Sequence, residues 1–380
     1  MELAPYLRLM VQRNGSDLYF STGSCPQIKI NGQTVPIGET KLGAGDVNGL
    51  AYSIMNDDQI REFEGTMECN LAISVNALGR FRVNVFRQRG DVAMVIRFIK
   101  GEIPSIEELF LPQLLKNLIM EKRGLILVVG STGSGKSTTL ASMIDYRNQH
   151  ATGHILTIED PIEFLHKHKK SLVNQREIGL DSLSYENALK NALREAPDVI
   201  LIGEIRDAAT MQHALAYAET GHLCLSTLHA NNANQALDRI INFFPDSAHK
   251  QVYNDLSLNL KAVVSQRLIP TVDAGRRAAI ELLVQTSYTA ELIQKGKIHD
   301  LKEAMEQGTE RGMVTFDQAL YGLYTEGAIT LEEALNHADS RNNLALRIRL
   351  NAGGEKKPVS APKPNPAPRS ASNNKLTVGG

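Results

Sequence analysis

The segment Gly130-Ser131-Thr132-Gly133-Ser134-Gly135-Lys136-Ser137 has the glycines, lysine and hydroxyl of a Walker A motif at the right spacing. It follows an apolar run and opens a helical pattern, the context in which this motif binds phosphate. Glycines let successive backbone N–H groups turn towards phosphate oxygens, and a helix N-terminus adds positive dipole. We expect Lys136 to reach the β- and γ-phosphates of ATP and Ser137 to ligate Mg²⁺. The predicted nucleotide-binding residues are Ser131, Thr132, Gly133, Ser134, Gly135, Lys136, Ser137 and Thr138.

Two acidic clusters follow apolar runs further along the chain. The first is Glu159-Asp160-Pro161-Ile162-Glu163, and the second contains Gly203-Glu204. Carboxylates at the C-terminal ends of parallel strands lie beside a phosphate loop, where hydrolysis needs acids to activate water and hold Mg²⁺. The second cluster is a Walker B arrangement with Gly203 at the usual aspartate position. This departure leaves open whether Glu204 contacts Mg²⁺ directly or through water.

Two histidines flank the apolar run at residues 223–227. A single buried histidine is usually structural. His229, at the C-terminal end of the run, is nevertheless placed to sense the γ-phosphate, whereas His222 at the opposite end fits a structural role. Arg206 and Asp207, which follow Glu204, are as consistent with capping the next helix as with a part in the site.

The elements that position these groups alternate in the manner of a βαβ sheet between residues 113 and 245. We predict strands at residues 125–129, 154–158, 199–202 and 223–227, and helices at 137–147, 184–196 and 208–219. Beyond residue 246 the pattern predicts mostly helix up to about residue 350. Residues 354–380 lack apolar periodicity and predict a disordered tail.

The first hundred residues have a different pattern. Short alternating segments at residues 27–30, 70–75, 80–87 and 92–99 predict strands of a small α+β domain with an antiparallel sheet. Residues 101–112 predict a linker with a short helical piece. The expected domains are therefore residues 1–100, the linker, an ATPase domain at 113–353 and the tail.

Composition excludes several classes of protein. The formal net charge is −1, so no overall positive field favours nucleic acid. Cys25, Cys69 and Cys224 are widely spaced, which argues against both a disulfide framework and a zinc site. The N-terminal residues lack the pattern of a signal peptide, and no apolar stretch is long enough to span a bilayer. We therefore expect a cytoplasmic protein.

Taken in order, these motifs resemble the secretion and type IV pilus ATPase superfamily. The segment from Thr157 to Glu163 resembles its Asp box, Gly203 to Asp207 its atypical Walker B, and His222 to Asn231 its His box. Gly15-Ser16-Asp17-Leu18, Ile30-Asn31-Gly32 and the stretch at 79–86 resemble its PAS-like domain. The resemblance implies an α/β fold, in which a RecA-like P-loop NTPase domain is preceded by a smaller PAS-like α+β domain.

The resemblance also implies roles for individual residues. Glu163 becomes the water-activating glutamate, and Glu204 becomes the acid linked to Mg²⁺ together with Ser137. Arg80, Arg82 and Arg97 match positions at which arginines of the N-terminal domain reach the nucleotide. An arginine finger is physically reasonable there because guanidinium offsets charge on the transferring phosphoryl group. Without the resemblance these arginines would be read as a solvated sheet face.

Within the superfamily, the compact layout without a tetracysteine motif resembles the retraction ATPases PilT and PilU. The segment from Asn343 to Leu350 departs from the Ala-Ile-Arg-Asn-Leu pattern of the PilT branch, which favours the PilU branch. The resemblance then implies a homo-hexamer at the inner-membrane base of the pilus, with a PilT-type ATPase and a platform protein as partners. Two alternatives remain open, a RecA-like ATPase that acts on nucleic acid and a non-catalytic ring subunit that binds ATP.

Overall fold

The computed structural model describes residues 2–30, 32–43, 45–99 and 101–351, which form two compact units. Residues up to Glu102 make the first unit, with which Glu163–Leu165 are grouped. Ile103–Ile162 and the described residues from His166 make the second. The predicted disordered tail at 354–380 and Asn31 of the predicted Ile30-Asn31-Gly32 turn lie outside the described residues.

The first unit is built on a six-stranded sheet with the strand order β3-β2-β1-β6-β5-β4. All its strand pairs are antiparallel, as the sequence predicts. Its elements in chain order are α1 (Ala4–Gln12), β1 (Asp17–Ser21), β2 (Gln27–Ile30), β3 (Gln33–Pro36), α2 (Asp46–Tyr52), α3 (Asp57–Thr66), β4 (Glu68–Val75), β5 (Gly79–Gln88) and β6 (Asp91–Ile99). The four predicted strands are confirmed within two residues at each end.

Alternation along β5 decides which face of this sheet carries polar groups. Phe81, Val83 and Val85 are fully buried in the core of the unit. Arg80 and Arg82 therefore share the opposite face, because side chains alternate along a strand. One sheet face thus packs against apolar side chains, while the other presents arginines.

The second unit is built on a seven-stranded mixed sheet with the order β13-β12-β7-β11-β10-β8-β9, antiparallel only between β12 and β13. Its elements in chain order are α4 (Leu114–Ile119), β7 (Gly124–Val129), α5 (Lys136–His150), β8 (Gly153–Glu159), β9 (Ser171–Glu177), α6 (Tyr185–Ala192), β10 (Val199–Ile202), α7 (Ala208–Glu219), β11 (Leu223–Leu228), α8 (Ala233–Ile241), α9 (His249–Asn259), β12 (Leu260–Pro270), β13 (Arg276–Val284), α10 (Ser287–Gln294), α11 (Leu301–Gln307), α12 (Phe316–Thr325), α13 (Leu331–His337) and α14 (Arg341–Asn351).

Three central strands of this sheet, β7, β10 and β11, are buried along their whole length. Such continuous apolar runs are typical of parallel strands covered by helices on both faces. Because β7, β8, β10 and β11 are parallel neighbours, their C-terminal ends meet at one edge of the sheet. The phosphate loop, the first acidic cluster, Glu204 and His229 follow these four ends, as the sequence predicts.

The prediction that the chain beyond residue 246 is mostly helical is wrong for β12 and β13. In the stretch Leu260–Pro270, the residues Leu260, Val264 and Leu268 fit a helical spacing as well as a two-residue spacing, so periodicity alone cannot separate strand from helix. The stretch forms a strand because it pairs with β7, with Ser265 opposite Val129. This pairing brings the next residue, Gln266, beside the start of the phosphate loop. The predicted helix at 184–196 is also shorter, since α6 ends at Ala192 and a 3₁₀ turn follows.

The helices α12, α13 and α14, which we call the C-terminal helical module, pack against β12 and β13. Phe316 and Leu344 of the module share one buried apolar cluster with Ile269 and Ala279 of these strands. Residues 101–112 form turns rather than the predicted short helical piece, and Ile106 and Leu111 within this segment are buried in the core of the second unit. Across residues 2–30, 32–43, 45–99 and 101–351, no helix is long and apolar enough to cross a membrane.

Candidate nucleotide-binding site

The phosphate loop connects β7 to α5 and depends on backbone conformations that only glycine adopts easily. Gly133 and Gly135 have φ of +77° and +90°, in the left-handed region. Gly130 is required for space, because a Cβ there would lie 2.4 Å from Ser134 Oγ and 2.6 Å from the Gln266 carbonyl oxygen. The loop therefore has no room for side chains at its base.

Two polar groups in the loop are arranged to meet an anion. Ser134 Oγ is buried and, within the part of the chain that the structure describes, has no hydrogen-bond partner. Lys136 begins α5, and its Nζ donates to the carbonyl oxygens of Gly130 and Ser131 at 3.0 and 2.9 Å. No side chain caps the N-terminus of α5. The amide groups at the N-terminus of α5, the buried hydroxyl and the lysine are donors suited to phosphate oxygens.

The second acidic cluster and the His box meet at the ends of β10 and β11. Glu204 Oε1 lies 3.0 Å from His229 Nε2, and Glu204 Oε2 accepts a 2.6 Å hydrogen bond from Arg206 Nε. Arg206 Nη1 also lies 3.8 Å from Asp160 Oδ2 of the first acidic cluster. The hydrogen bond to Glu204 raises the pKa of the Arg206 guanidinium. One arginine thus links both clusters, a contact that the sequence left undecided.

Close packing explains why glycine replaces the usual Walker B aspartate. A Cβ at Gly203 would lie 2.9 Å from the Tyr185 hydroxyl oxygen and 3.2 Å from the Ile158 carbonyl oxygen. Burial raises the pKa of Tyr185, so its hydroxyl stays protonated. The acid of this motif is therefore displaced by one residue to Glu204, whose side chain is only 17% exposed.

Asp207 and His222, which belong to the same motifs, make contacts within the fold rather than in the site. Asp207 caps α7 by accepting a hydrogen bond from the Thr210 N–H, which is the capping alternative raised by the sequence. His222 lies at the far end of β11, where its Nδ1 is 3.2 Å from the Tyr217 carbonyl oxygen. His229 instead lines a cleft of about 450 Å³ beside the phosphate loop. The residues around this cleft are Gly130, Ser131, His229, Ala230, Asn231, Gln235, Asp238, Arg239 and Asn242.

The predicted arginine fingers lie on the sheet of the first unit. Arg82 and Arg97 are directly opposite each other on β5 and β6. Arg97 Nε donates to Asp17 Oδ1 at 2.8 Å, while the Arg97 side chain remains 69% exposed and Asp17 is buried. Like charges facing each other across a strand pair are destabilising. The buried Asp17 carboxylate therefore holds Arg97 at its Nε while most of the Arg97 side chain stays exposed.

Glu163 is exposed and follows Pro161 in the segment between β8 and β9. The structure groups Glu163–Leu165 with the first unit, whereas Glu204, His229 and the phosphate loop belong to the second. Within the second unit, Glu204 and His229 are in contact, and the cleft places His229 beside Gly130 and Ser131.

The residues present fit Mg²⁺. The Ser137 hydroxyl and the Glu204 carboxylate are hard oxygen donors. No group of three or more His, Cys, Asp or Glu that could hold a metal occurs in residues 2–30, 32–43, 45–99 and 101–351. Mg²⁺ commonly uses one or two protein ligands together with water and substrate phosphates, so this sparse donor set suits it.

Comparison with known proteins gives the family. Residues 70–312 match the family model described as "Type II/IV secretion system protein". The chain is 57% identical to the type IV pilus ATPase PilU of Pseudomonas aeruginosa over 92% of each protein. It is 42% identical to the retraction ATPase PilT of the same organism, over 90% of this chain and all of PilT. The chain belongs to the type IV pilus ATPases of the type II/IV secretion system family.

A solved structure of the pilus retraction motor PilT with bound ADP supports the same assignment. It superposes with a TM-score of 0.84 at 41% identity, over 91% of this chain and 99% of PilT. The predicted α/β fold with a preceding N-terminal domain is therefore confirmed, and this type IV pilus ATPase binds nucleotide. The sequence did not predict the contribution of Tyr185 and β12 to the site, and it left that of Arg206 undecided.

Proposed function

We propose that this type IV pilus ATPase works as a homo-hexameric retraction motor that assists a PilT-type ATPase. The observation that carries the proposal is the contact between Glu204 and His229 at the same sheet edge as the Walker A loop. That arrangement supplies a Mg²⁺-linked acid and a γ-phosphate sensor. The higher identity to PilU than to PilT supports the assisting role.

In this proposal, the phosphate loop binds ATP through residues 131–138. Lys136 would leave the carbonyl oxygens of Gly130 and Ser131 for the β- and γ-phosphates, and Ser137 and Glu204 would hold Mg²⁺. The metal would neutralise charge on the phosphate oxygens when bound. Because Gly203 carries no side chain, Glu204 provides the metal-linked acid of this motif.

Glu163 orients and deprotonates the attacking water. His229 reports the γ-phosphate to Glu204 through their 3.0 Å contact. Arg82 and Arg97 offset charge on the transferring phosphoryl group, and Asp17 supports this role for Arg97 by holding its Nε. The side-chain set thus provides a base, a metal-linked acid, a sensor and cationic donors.

Closure of the first unit upon nucleotide, with residues 101–112 as the hinge, would convert hydrolysis into movement. The motor would act from the cytoplasmic side on a platform protein at the inner-membrane base of the pilus. Nucleic acid has no part in this proposal, since the net charge is −1 and provides no overall attraction to phosphate backbones.

A retraction assay tests the function directly. Deletion of the gene should weaken twitching or retraction against load, and restoration should require both this chain and a PilT-type partner. Unchanged retraction after deletion, with normal protein levels of the partner, would contradict the assisting role.

Glu163→Gln tests the chemistry, because it removes the base while keeping the size of the side chain. The purified variant should bind ATP like the wild type and lose hydrolysis by about 100-fold or more. Glu186→Gln, in the first turn of α6, is the matched control for loss of one carboxylate. Turnover of Glu163→Gln at the level of this control would assign the base elsewhere.

A further inference from the structure

Arg267 of β12 contacts both the loop that carries His229 and the C-terminal helical module. We propose that Arg267 is a positioning residue that couples the nucleotide site to this module. The inference rests on the proposed function, because it assumes that nucleotide acts on the His229 loop. It adds the route by which nucleotide bound beside that loop affects the C-terminal helical module.

The guanidinium of Arg267 makes three hydrogen bonds to two separate segments. Its Nη2 donates to the Asn231 carbonyl oxygen at 3.3 Å, two residues after His229. Its Nη2 and Nη1 also donate to Asp339 Oδ1 and to the His337 carbonyl oxygen, each at 2.7 Å. Arg267 and Asp339 are 23% and 15% exposed. A half-buried planar cation that uses both ends of its fork fixes two partners at once.

An aromatic ring further restricts Arg267. The guanidinium carbon lies 3.7 Å from the centre of the Phe316 ring, and Phe316 is buried at the start of α12. Asp339 is itself held, since its N–H donates to Asp317 Oδ1 of α12 at 2.8 Å. Arg267 is thus clamped between the module and the loop, and movement of either segment strains the other contact.

The residue before Arg267 connects the same strand to the phosphate loop. Gln266 is buried, and its Oε1 accepts a 2.7 Å hydrogen bond from Thr139 Oγ1 in the first turns of α5. Its carbonyl oxygen lies against Gly130. Because successive side chains of a strand point to opposite faces, Gln266 and Arg267 reach the two sides of the sheet. One dipeptide therefore contacts the phosphate loop, the His229 loop and the module.

The far end of the His229 loop is held to the same pair of strands. The Ala233 N–H, at the start of α8, donates to Glu281 Oε1 of β13 at 2.8 Å. Glu281 is buried and also accepts from Ser265 Oγ at 3.1 Å. The loop is therefore fixed at Glu281. A displacement of His229 should then move Asn231, whose carbonyl oxygen Arg267 contacts.

Hydrogen–deuterium exchange of α14 with and without MgADP tests this coupling in the full chain. In the wild type, MgADP should change exchange of α14 by about fivefold or more, the size of a typical coupling between sites. In Arg267→Gln this change should disappear, and kcat should fall by about tenfold while the Kd for MgADP stays within about twofold. Arg267→Lys should recover only part of the effect, since lysine lacks the fork.

Arg277→Gln is the matched control. Arg277 lies on the neighbouring strand, binds Glu326 of the module at 3.0 Å and stacks 4.3 Å from the ring of Phe110. It shares the chemistry of Arg267, but its ion pair with Glu326 and its ring contact with Phe110 lie outside the His229 loop. It should keep the MgADP-dependent change in α14. Asp339→Asn removes the negative charge from the same link on the side of the module and should reproduce the loss if Arg267→Gln does not fold.

The outcomes separate the inference from the proposed function. If MgADP alters α14 equally in the wild type, Arg267→Gln and Asp339→Asn, Arg267 is not the coupling residue. If MgADP binds to the wild type and leaves α14 unchanged, no coupling exists and the inference is wrong. Failure of the wild type to bind MgADP would contradict the proposed nucleotide site itself.

Discussion

The phosphate loop and the cluster of Glu204, Arg206 and His229 lie at the same edge of one sheet but are built differently. The loop is one continuous segment whose working parts are mostly backbone N–H groups placed by glycines. The cluster consists of side chains from two strand ends, held by 2.6 and 3.0 Å contacts between charged or polar atoms. The conformation of one short segment determines the phosphate loop, whereas the pairing of strands determines the cluster.

This difference teaches where each region is vulnerable. Substitutions in the loop should act on nucleotide binding, since they remove a phosphate contact or its geometry. Substitutions in the cluster should leave nucleotide binding largely intact and lower turnover, because its charged side chains contact one another rather than the phosphate loop. The following predictions test that division, beginning with the largest effect.

Lys136→Ala should have the largest effect. It removes the cation proposed to neutralise the β- and γ-phosphates, so we expect nucleotide binding and turnover to fall by about 100-fold or more. Equilibrium binding of a fluorescent ATP analogue, together with phosphate release, measures both. Lys170→Ala, an exposed lysine of the second unit, is the control. Near-normal binding by Lys136→Ala would contradict the comparison between loop and cluster.

Glu204→Gln and His229→Asn should each lower turnover by about 10- to 1,000-fold while ATP binding changes far less. Because the two side chains are in contact, the double variant should lose less than the product of the single effects. Steady-state kinetics of the three variants provide the measurement. Multiplicative losses would show that Glu204 and His229 act independently.

Gly203→Ala should reduce stability without touching a proposed ligand. Its new methyl group would meet the Tyr185 hydroxyl, and overpacking of this kind costs about 1–3 kcal/mol. Thermal unfolding should show a lower midpoint for Gly203→Ala and partial recovery in the double variant with Tyr185→Phe. The absence of any recovery would mean that the backbone near Ile158, rather than Tyr185, limits space at this position.

His166 should give the smallest effect, a pH dependence of the free energy of unfolding. Burial lowers its pKa from 6.5 to about 4, while Asp145 raises it and Lys169 lowers it further. The unfolded chain then binds the proton more readily, so stability is lost as pH falls from about 6.5 towards 4. At pH 5.5 this contributes about 1 kcal/mol of destabilisation.

The His166→Gln variant checks this expectation through thermal unfolding at pH 7.5 and pH 5.5. The fall in midpoint between the two pH values should be smaller in the variant than in the wild type. His168→Gln, two residues away, is the control for a nearby imidazole. Equal pH dependence of the wild type and His166→Gln would show that His166 does not control stability in this range.

The sequence predicted the parts of the site that depend on residues adjacent to one another in the chain. The glycines and Lys136 lie within one short motif, and the buried run of β7 shows the strand before it. It did not predict β12, because the spacing of Leu260, Val264 and Leu268 fits both helix and strand. It also left Arg206 undecided, since its partners Glu204 and Asp160 meet only when β8 and β10 pair.

The distribution of thiols has a practical consequence for labelling. Cys69 and Cys224 are buried, and burial raises the pKa of both, which suppresses the thiolate that reacts with maleimides. Cys25 is the most accessible of the three cysteines. Replacing Cys25 alone would therefore give a background in which a cysteine placed on α14 takes up a fluorophore selectively in the folded protein.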